Sequence, residues 1–552
     1  MKGTFRHIIR ICLLIALAVL PLALSACSRP LGDDPGNAGG ANGEPDAPQY
    51  LMVIEDAPDT VDFQCTTIYY TIATNVFNRL VEMTPNADGE IVVTPSLARA
   101  WEVSEDGRVY TFHLRENVRF SNGASLTASD VLYTFTRLLT WPESCNRDIA
   151  EVIVGAKALE NGEAETLEGF QILSDQDFTI ALEEPYAAFL ACLSMPGASI
   201  LDEGTTSAAG SQFGREAACT VGTGSFILTE WTPGVGMKLA ANPDCWQGAP
   251  RCPGVDMRFL TEPEELQILF EKGQLDILDL DDVGNDAEFF IHGDIYQERL
   301  FRVPRIGTTY IALNESIEPL NDVRVRKALQ LSLNRDMLLK VVYSGFGYME
   351  NGIFPHGLNG FNADLPEIPY DVDAARALLA EAGYPEGIEL TAAVKSSSTQ
   401  SEMTLMRLVV SMWEKAGVRA TIDVMDEAEF MRLRKSGQLA CYSATWTADF
   451  DDPDNFIYTF FGTPENTAFR SLCYPNEAIM TRVQQARRIT DPAARMAEYH
   501  ELEKIIVQDD AAWIPLFSRE RVYALSERIT GVTTTWNGSV KNMYREMSVK
   551  SD

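Results

Sequence analysis

Helical and strand patterns alternate in the second half of the chain, and this alternation constrains the fold most strongly. One helix is predicted over 371–382, ending before Gly383, and another over 402–416, ending before Gly417. Glycine is common just after a helix because it adopts left-handed backbone angles readily. Apolar and polar residues then alternate over 418–424, as in a half-buried strand. Repeated helix–strand units predict an α/β fold with open sheets covered by helices.

The first part of the chain contains further predicted elements. A short apolar strand covers 51–54, a helix covers 72–81, and a hairpin turns near Gly107 within 101–114. In the second strand of this hairpin, one face is predicted to pack against the protein and the other to be more exposed to solvent. The packed face comprises Tyr110, Phe112 and Leu114. A further helix is predicted over 129–139, with Thr127 and Ser129 marking its start.

One more helix is predicted to begin at Asn321 or Asp322. Its apolar residues lie on roughly one face of a continuous helix and are Val325, Leu329, Leu333, Met337 and Val341. Trp413 lies on the apolar face of the predicted 402–416 helix and is expected in the core.

The N-terminal segment is expected to be a targeting signal. A basic start precedes an apolar run over 11–24 that is too short to span a membrane as a stable helix. Small residues then precede Cys27, which resembles the bacterial lipobox and implies a lipid on that cysteine; an ordinary cleaved signal is the alternative. Gly, Pro, Asn and Asp dominate 28–48, which predicts a flexible tether. The protein is therefore expected outside the cytoplasm, lipid-anchored in the periplasm or on the outer face of the cell membrane.

The net charge of the chain is −34, from 45 basic and 79 acidic residues. Such a surface repels the phosphate backbone, so nucleic acid is excluded as a partner.

Cysteines are expected to form disulfides in an oxidising compartment. Setting Cys12 and Cys27 aside from ten cysteines leaves eight. The pairs Cys245–Cys252 and Cys192–Cys219 are the predicted candidates, although other pairings remain open.

No metal and no cofactor are predicted. The sequence contains no Cys-x-x-Cys, and its five histidines are scattered. The acidic run at 449–454 lacks both the glycine and the glutamate that a calcium loop requires, and the run at 279–284 has Gly284 but lacks the glutamate. Both runs are interpreted as solvated turns. The Gly-x-Ser-x-Gly pattern of many hydrolases is missing too.

The stretch 442–456 carries the clearest chemical signal. Its aromatic residues are interrupted by one carboxylate, Asp449, and a Pro-containing turn follows. A carboxylate among aromatic side chains is costly unless a cation or several donors meet it, which suits a pocket for an ammonium group. On local sequence alone, a helix-capping role for Asp449 is an equal alternative.

Four separated blocks, in order along the chain, resemble the oligopeptide/dipeptide-binding family of extracytoplasmic solute-binding proteins of ABC importers (family 5). They lie at 98–131, 222–246, 320–329 and 449–456. The resemblance implies a type II-like periplasmic-binding-protein fold, in which two lobes close about a hinge and an extra domain is inserted. The implied divisions are a signal peptide 1–27, a tether 28–48, lobe I at 49–95, 218–305 and 516–552, the extra domain 96–217, and lobe II 306–515.

The resemblance also implies a binding site between the lobes. Asp449 would pair with the α-ammonium of a peptide, and Trp446 and Thr447 would line the same wall. A segment of lobe I would lie against the ligand backbone, and its residues are Thr66, Thr67, Ile68 and Tyr69. Dipeptide-specialised relatives place an arginine for the ligand's carboxylate in the segment matching 393–398, where this chain has only Lys395 and serines.

The expected function is capture of a di- or oligopeptide by a monomeric, non-catalytic receptor that delivers it to a membrane permease. Alternatives are an oligosaccharide or a nickel chelate as the solute, a secreted hydrolase, and a sensory lipoprotein.

Overall fold

A computed structural model describes residues 50–284, 287–541 and 543–550. The predicted signal peptide, Cys27 and the tether lie outside these residues. The strands are β1 (Leu51–Ile54), β2 (Val81–Pro85), β3 (Ile91–Pro95), β4 (Ala98–Val103), β5 (Val109–Leu114), β6 (Phe170–Ile172), β7 (Asp177–Ala181), β8 (Phe226–Thr232), β9 (Gly236–Ala241), β10 (Gly254–Arg258), β11 (Ile277–Asp279), β12 (Leu300–Pro304), β13 (Gly307–Leu313), β14 (Gly347–Met349), β15 (Ile388–Lys395), β16 (Val418–Met425), β17 (Cys441–Thr447), β18 (Trp513–Leu525), β19 (Ile529–Thr530) and β20 (Ser548–Val549).

The helices are α1 (Thr71–Val76), α2 (Ala128–Thr140), α3 (Ala156–Glu160), α4 (Phe189–Cys192), α5 (Glu203–Ala209), α6 (Pro263–Glu271), α7 (Ala287–His292), α8 (Val323–Leu331), α9 (Arg335–Tyr343), α10 (Val372–Glu381), α11 (Gln400–Lys415), α12 (Glu427–Lys435), α13 (Asp454–Phe461), α14 (Pro464–Phe469), α15 (Glu477–Ala486) and α16 (Pro492–Lys504). None of the helices formed by the described residues has the length and apolar character needed to cross a bilayer.

Three larger sheets organise the described residues. The first has the order β1-β10-β9-β8, and the second, antiparallel sheet has the order β4-β5-β7-β6. The third has the order β11-β18-β13-β17-β15-β16, with β12 and β14 also paired to β18. In this third sheet β15 runs parallel to both β16 and β17, and apolar clusters lie against it.

Strand β18 connects two parts of the third sheet. Its C-terminal half pairs with β11 and β12, and its N-terminal half pairs with β13 and β14. The predicted boundary between 515 and 516 therefore falls inside a continuous strand. A strand shared in this way restricts relative movement of the segments on either side to bending.

Several predicted elements are confirmed. Strand β5 buries Tyr110, Phe112 and Leu114 on one face. Helix α11 begins with a capping box between Thr399 and Glu402. Trp413 is fully buried, and its indole N–H donates to the Leu329 carbonyl at 3.2 Å.

The helix predicted over 72–81 is wrong in its second half, because α1 ends at Val76 and Val81 begins β2. Asn78 explains the early end: its side-chain oxygen accepts hydrogen bonds from Thr223 at 3.0 Å and from the Trp246 indole at 3.0 Å. These tertiary bonds hold the chain in an extended course that helical periodicity does not reveal.

The single helix predicted from 322 through 341 is also wrong, since it divides into α8 and α9. Asn334 caps the second helix by accepting from the Met337 backbone N–H at 2.9 Å. The break rotates the second helix, so Met337 and Val341 are exposed rather than buried.

Candidate functional site

Asp449 lies two residues after β17 and is held by Asn455 in the first turn of α13. The Asn455 amide donates to the Asp449 carboxylate at 3.1 Å, and its oxygen accepts from the Asp449 backbone N–H at 3.0 Å. The same oxygen accepts from the Trp446 indole at 3.2 Å. One amide thus orients the carboxylate and the aromatic wall together. Asp449 is not a helix cap, because the residue preceding α13 is Pro453.

The Asp449 carboxylate has no basic partner within ion-pair distance among the described residues, although protein surrounds most of it. Burial raises its pKa, while the Asn455 hydrogen bond and the charge of Arg470 lower it. A poorly solvated carboxylate without an ion-pair partner is a favourable place for a cation from outside the protein.

Asp148 supplies a second carboxylate. It lies in the short 3₁₀ turn Arg147–Ile149, and its side chain is exposed to solvent although many protein atoms lie around it. Burial, followed by the charge of Asp449, raises the pKa of Asp148 to about 6. Burial also raises the pKa of Tyr70, and the charges of Asp449 and Asp148 add to that increase. Three segments distant in sequence therefore bring Tyr70, Asp148 and Asp449 near one another, and these three residues form what we call the acidic recess.

The predicted backbone-contacting segment, 65–70, forms an irregular bend between β1 and α1. The Asn146 amide and the Tyr70 hydroxyl each donate to the Thr66 carbonyl at 2.9 Å. The Thr66 hydroxyl oxygen accepts from the N–H groups of Ile68 and Tyr69 at 3.3 and 3.4 Å. Ile68 is 70% exposed, an unusual position for a large apolar side chain. Ligand contact by this segment stays a prediction.

Thr447 contacts a cation of the segment that connects β12 and β13. The Arg305 Nε–H donates to the Thr447 hydroxyl at 3.1 Å. Burial, with the charges of Arg521 and Arg519, lowers the pKa of Arg305 to about 10. Thr447, one of the residues predicted to line the wall beside Asp449, is therefore hydrogen-bonded to the segment between β12 and β13.

The acidic run after Asp449 is not the solvated turn that the sequence predicts. Three of its carboxylates are buried: Asp451, Asp452 and Asp454. Arg495 donates to both oxygens of Asp452, at 2.8 and 2.6 Å. Asp454 accepts from the Tyr186 hydroxyl at 2.8 Å and from Arg487 at 3.1 Å. Arginines distant in sequence neutralise Asp452 and Asp454, which local composition does not reveal.

The predicted disulfides are not formed, and the eight cysteines of the described residues are free thiols. The Cys252 thiol donates to the Tyr544 carbonyl at 3.6 Å, and Cys245 lies 3.8 Å from the Ser225 hydroxyl. Cys192 lies 3.4 Å from the Tyr186 hydroxyl. These three thiols have other neighbours, so proximity in sequence was a poor guide to pairing. The described residues contain no group of three or more acidic, histidine or cysteine side chains arranged to hold a metal ion.

Sequence reasoning missed Asp148, and no local pattern marks it. Residues in the turn around it are unremarkable, and its proximity to Asp449 arises only from folding. The acid could have been found from sequence only by knowing which turn packs against the 449–455 loop.

Known proteins resemble this chain over most of its length. The sequence profile of the bacterial extracellular solute-binding proteins, family 5, matches residues 92–468. The dipeptide-binding protein of Escherichia coli K12 is 29% identical over 467 residues, covering 81% of this chain and 84% of its own. Heme-binding protein A of Haemophilus influenzae is 27% identical over 481 residues, covering 84% and 85%.

Solved structures share the fold. NikA from Brucella suis in complex with Fe(III)-EDTA superposes with a TM-score of 0.79 at 22% identity, covering 91% of this chain and 100% of that one. The periplasmic binding protein DppA from Helicobacter pylori, in complex with the peptide STSA, gives a TM-score of 0.74 at 24% identity, covering 91% and 98%.

These matches confirm the predicted α/β, two-lobed binding-protein fold. The matched proteins are substrate-binding proteins rather than enzymes, which removes the hydrolase alternative. The chain belongs to the bacterial extracellular solute-binding proteins of family 5.

Proposed function

We propose that this protein is a lipid-anchored receptor that captures a di- or oligopeptide and delivers it to the permease of an ABC importer. The observation that carries the proposal is the Asp449 carboxylate, which is enclosed by protein and has no ion-pair partner among the described residues. The α-ammonium of a peptide is the group that this carboxylate would bind.

Electrostatics favours a cationic group at this place. Asp148 and Asp449 are close enough for each charge to be felt by the Tyr70 hydroxyl, so the recess concentrates negative potential. Trp446 provides an apolar wall beside the acids, oriented by the same Asn455 that orients Asp449. An ammonium carried on an otherwise neutral, partly apolar ligand matches both features.

Relatives support a peptide as the ligand, since the similar proteins include a dipeptide-binding protein and a structure with a bound tetrapeptide. Others bind heme or an iron chelate, so the solute itself must be identified. Mass spectrometry of the small molecules released from the purified, mildly denatured protein is the direct test. A released peptide supports the proposal, whereas an oligosaccharide, a metal chelate or heme overturns it.

The ammonium contact has a separate test by calorimetry. The probes are Ala-Ala and N-acetyl-Ala-Ala, which differ in the charge at the N-terminus. We expect acetylation to weaken binding by about tenfold or more, because a buried charge pair is replaced by an unpaired carboxylate. Equal affinities would contradict the assignment of Asp449.

The lipid anchor is tested on the N-terminal cysteines. In Cys27→Ser we expect the protein to leave the membrane fraction, while the matched Cys12→Ser variant stays there. Retention of Cys27→Ser at the membrane would contradict lipidation. Transport is tested by deleting the gene: loss of peptide uptake supports delivery to a permease, and unchanged uptake supports a sensory lipoprotein instead.

A further inference from the structure

Two arginines near the candidate site lack acidic partners in the part of the chain that the structure describes. Arg434 lies near the end of α12, and Arg470 follows α14. Among the described residues neither guanidinium donates a hydrogen bond or forms an ion pair, and the Nε–H of each is buried without an acceptor. Burial is the main cause of a lowered pKa for Arg470, and the neighbouring charge of Arg434 contributes.

This arrangement differs from that of the arginines that form buried ion pairs. The chain carries 79 acidic residues against 45 basic ones, and several of its buried arginines have carboxylate partners, as Arg495 has Asp452 and Arg326 has Glu315 at 2.9 Å. Two neighbouring guanidiniums without an anion repel each other and remain incompletely hydrogen-bonded.

Aromatic rings hold the cations in place. Arg470 lies 4.9 Å from the ring centres of both Trp446 and Phe460. Phe469, which is 40% exposed, has Arg434 at 5.8 Å and Lys435 at 5.4 Å from its ring centre. Cation–π contacts orient a guanidinium over a ring but leave its in-plane donors available.

Trp446 connects these cations to the acidic recess. One side of the tryptophan is fixed to Asn455, which also holds Asp449, and Arg470 stacks on its ring. The charge of Arg470 is felt at Asp449, yet the two side chains do not form an ion pair. A negative and a positive group are therefore presented along one aromatic wall, separated far enough to remain distinct.

We propose that Arg470, supported by Arg434, binds a carboxylate of the ligand whose ammonium lies at Asp449. This inference rests on the proposed function and specifies its ligand as a zwitterionic peptide. Arg470 would also serve in place of the carboxylate-binding arginine that the segment 393–398 lacks. The one lysine of that segment, Lys395, already forms an ion pair with Glu427 at 3.5 Å. The carboxylate belongs either to the peptide's C-terminus or to an acidic side chain.

Calorimetry with two matched pairs of probes separates these sources. Ala-Ala and its C-terminal amide differ in the terminal carboxylate; Glu-Ala and Gln-Ala differ in a side-chain carboxylate. In one of these two pairs we expect the wild type to bind the anionic peptide about tenfold or more tightly than the neutral one, since the guanidinium donates charge-assisted hydrogen bonds to the carboxylate. The pair that shows this preference identifies the carboxylate. In Arg470→Gln the ratio of the two affinities is expected to fall to about one, and in Arg434→Gln it is expected to be smaller than in the wild type.

Two further variants serve as controls. Arg432→Gln removes an exposed arginine of α12, the helix that also contains Arg434. Arg432 pairs with Glu429 at 2.8 Å, and its loss should leave the wild-type ratio of affinities unchanged. Arg470→Lys keeps the charge without the planar fork of donors, and it should keep part of the ratio. A melting transition like that of the wild type shows that each variant is folded.

The outcomes separate the two proposals. If peptides bind through Asp449 but Arg470→Gln keeps the wild-type ratio, the carboxylate assignment is wrong and the proposed function stands. A wild type that does not distinguish either pair overturns the assignment in the same way. If none of the four peptides binds, the inference fails, and the solute released from the purified protein in mass spectrometry decides whether the proposed function fails with it.

Discussion

Asp449 and Asp452 occupy one short turn yet have opposite environments. Asp452 is buried and receives two hydrogen bonds from Arg495, so its charge is matched within the protein. Asp449 accepts one hydrogen bond from the neutral side-chain amide of Asn455 and has no ion-pair partner among the described residues. The difference teaches that burial alone does not distinguish the two acids; the missing counter-charge is what makes Asp449, rather than Asp452, the candidate for ligand binding.

The two environments have different expected consequences for stability and binding. A matched buried pair contributes to a single folded arrangement, and breaking it leaves the other charge unsatisfied. An unmatched acid costs stability in the free protein and contributes favourably only when a ligand supplies the cation. Substitutions at the two positions should therefore separate folding from ligand capture.

The largest effect is expected from Asp452→Ala, measured as the free energy of unfolding in denaturant. The variant leaves the Arg495 guanidinium buried without its carboxylate, which should cost about 3–5 kcal/mol. Glu498→Ala is the matched control because its pair with Arg482, at 2.8 Å, is more exposed. That control should cost no more than about 1 kcal/mol. Similar losses in both variants would contradict the role assigned to the buried pair.

A smaller effect, on binding rather than stability, is expected from Asp449→Asn. Removing the charge should weaken peptide binding by about tenfold or more, which is about 1.4 kcal/mol. The free protein should be no less stable, because the substitution removes a poorly solvated charge and keeps the shape. Calorimetry and denaturant unfolding measure the two quantities, and Asp423→Asn, at an exposed strand position, is the control. Unchanged affinity would refute the ammonium site.

The smallest effect is expected from pH. The pKa of Asp148 is raised to about 6, so the free protein holds a proton there more tightly than the unfolded chain does. Stability of the free protein should therefore fall slightly as the pH rises through the range between the ordinary carboxyl pKa and about 6. Binding of an ammonium favours the ionised acid, so affinity should rise over the same range and a proton should be released on binding.

Calorimetry in buffers of different ionisation enthalpy measures this proton release. Asp148→Asn should reduce both the release and the pH dependence, leaving a contribution from Asp449, whose pKa is also raised by burial. An unchanged pH profile in this variant would show that Asp148 does not face the bound ammonium.

Local patterns predicted elements well where neighbours in sequence decide the structure. The capping box of α11 and the alternation of β5 both arise from contacts within a few residues. Predictions became wrong where a distant partner decides, as at Asn78, whose bonds to Thr223 and Trp246 accompany the early end of α1. The disulfide candidates were wrong for the same reason, since nearness in sequence does not bring thiol groups together.

The sequence alone determined the α/β class, the family and Asp449 as the leading candidate, because periodicity and ordered motifs are properties of the chain itself. Only the tertiary structure decided which acids are neutralised. Arg495 and Tyr186 reach the turn after Asp449 from remote segments, and Asp148 and Arg470 approach Asp449 from others. Charge matching depends on distances in space, which a single sequence does not contain.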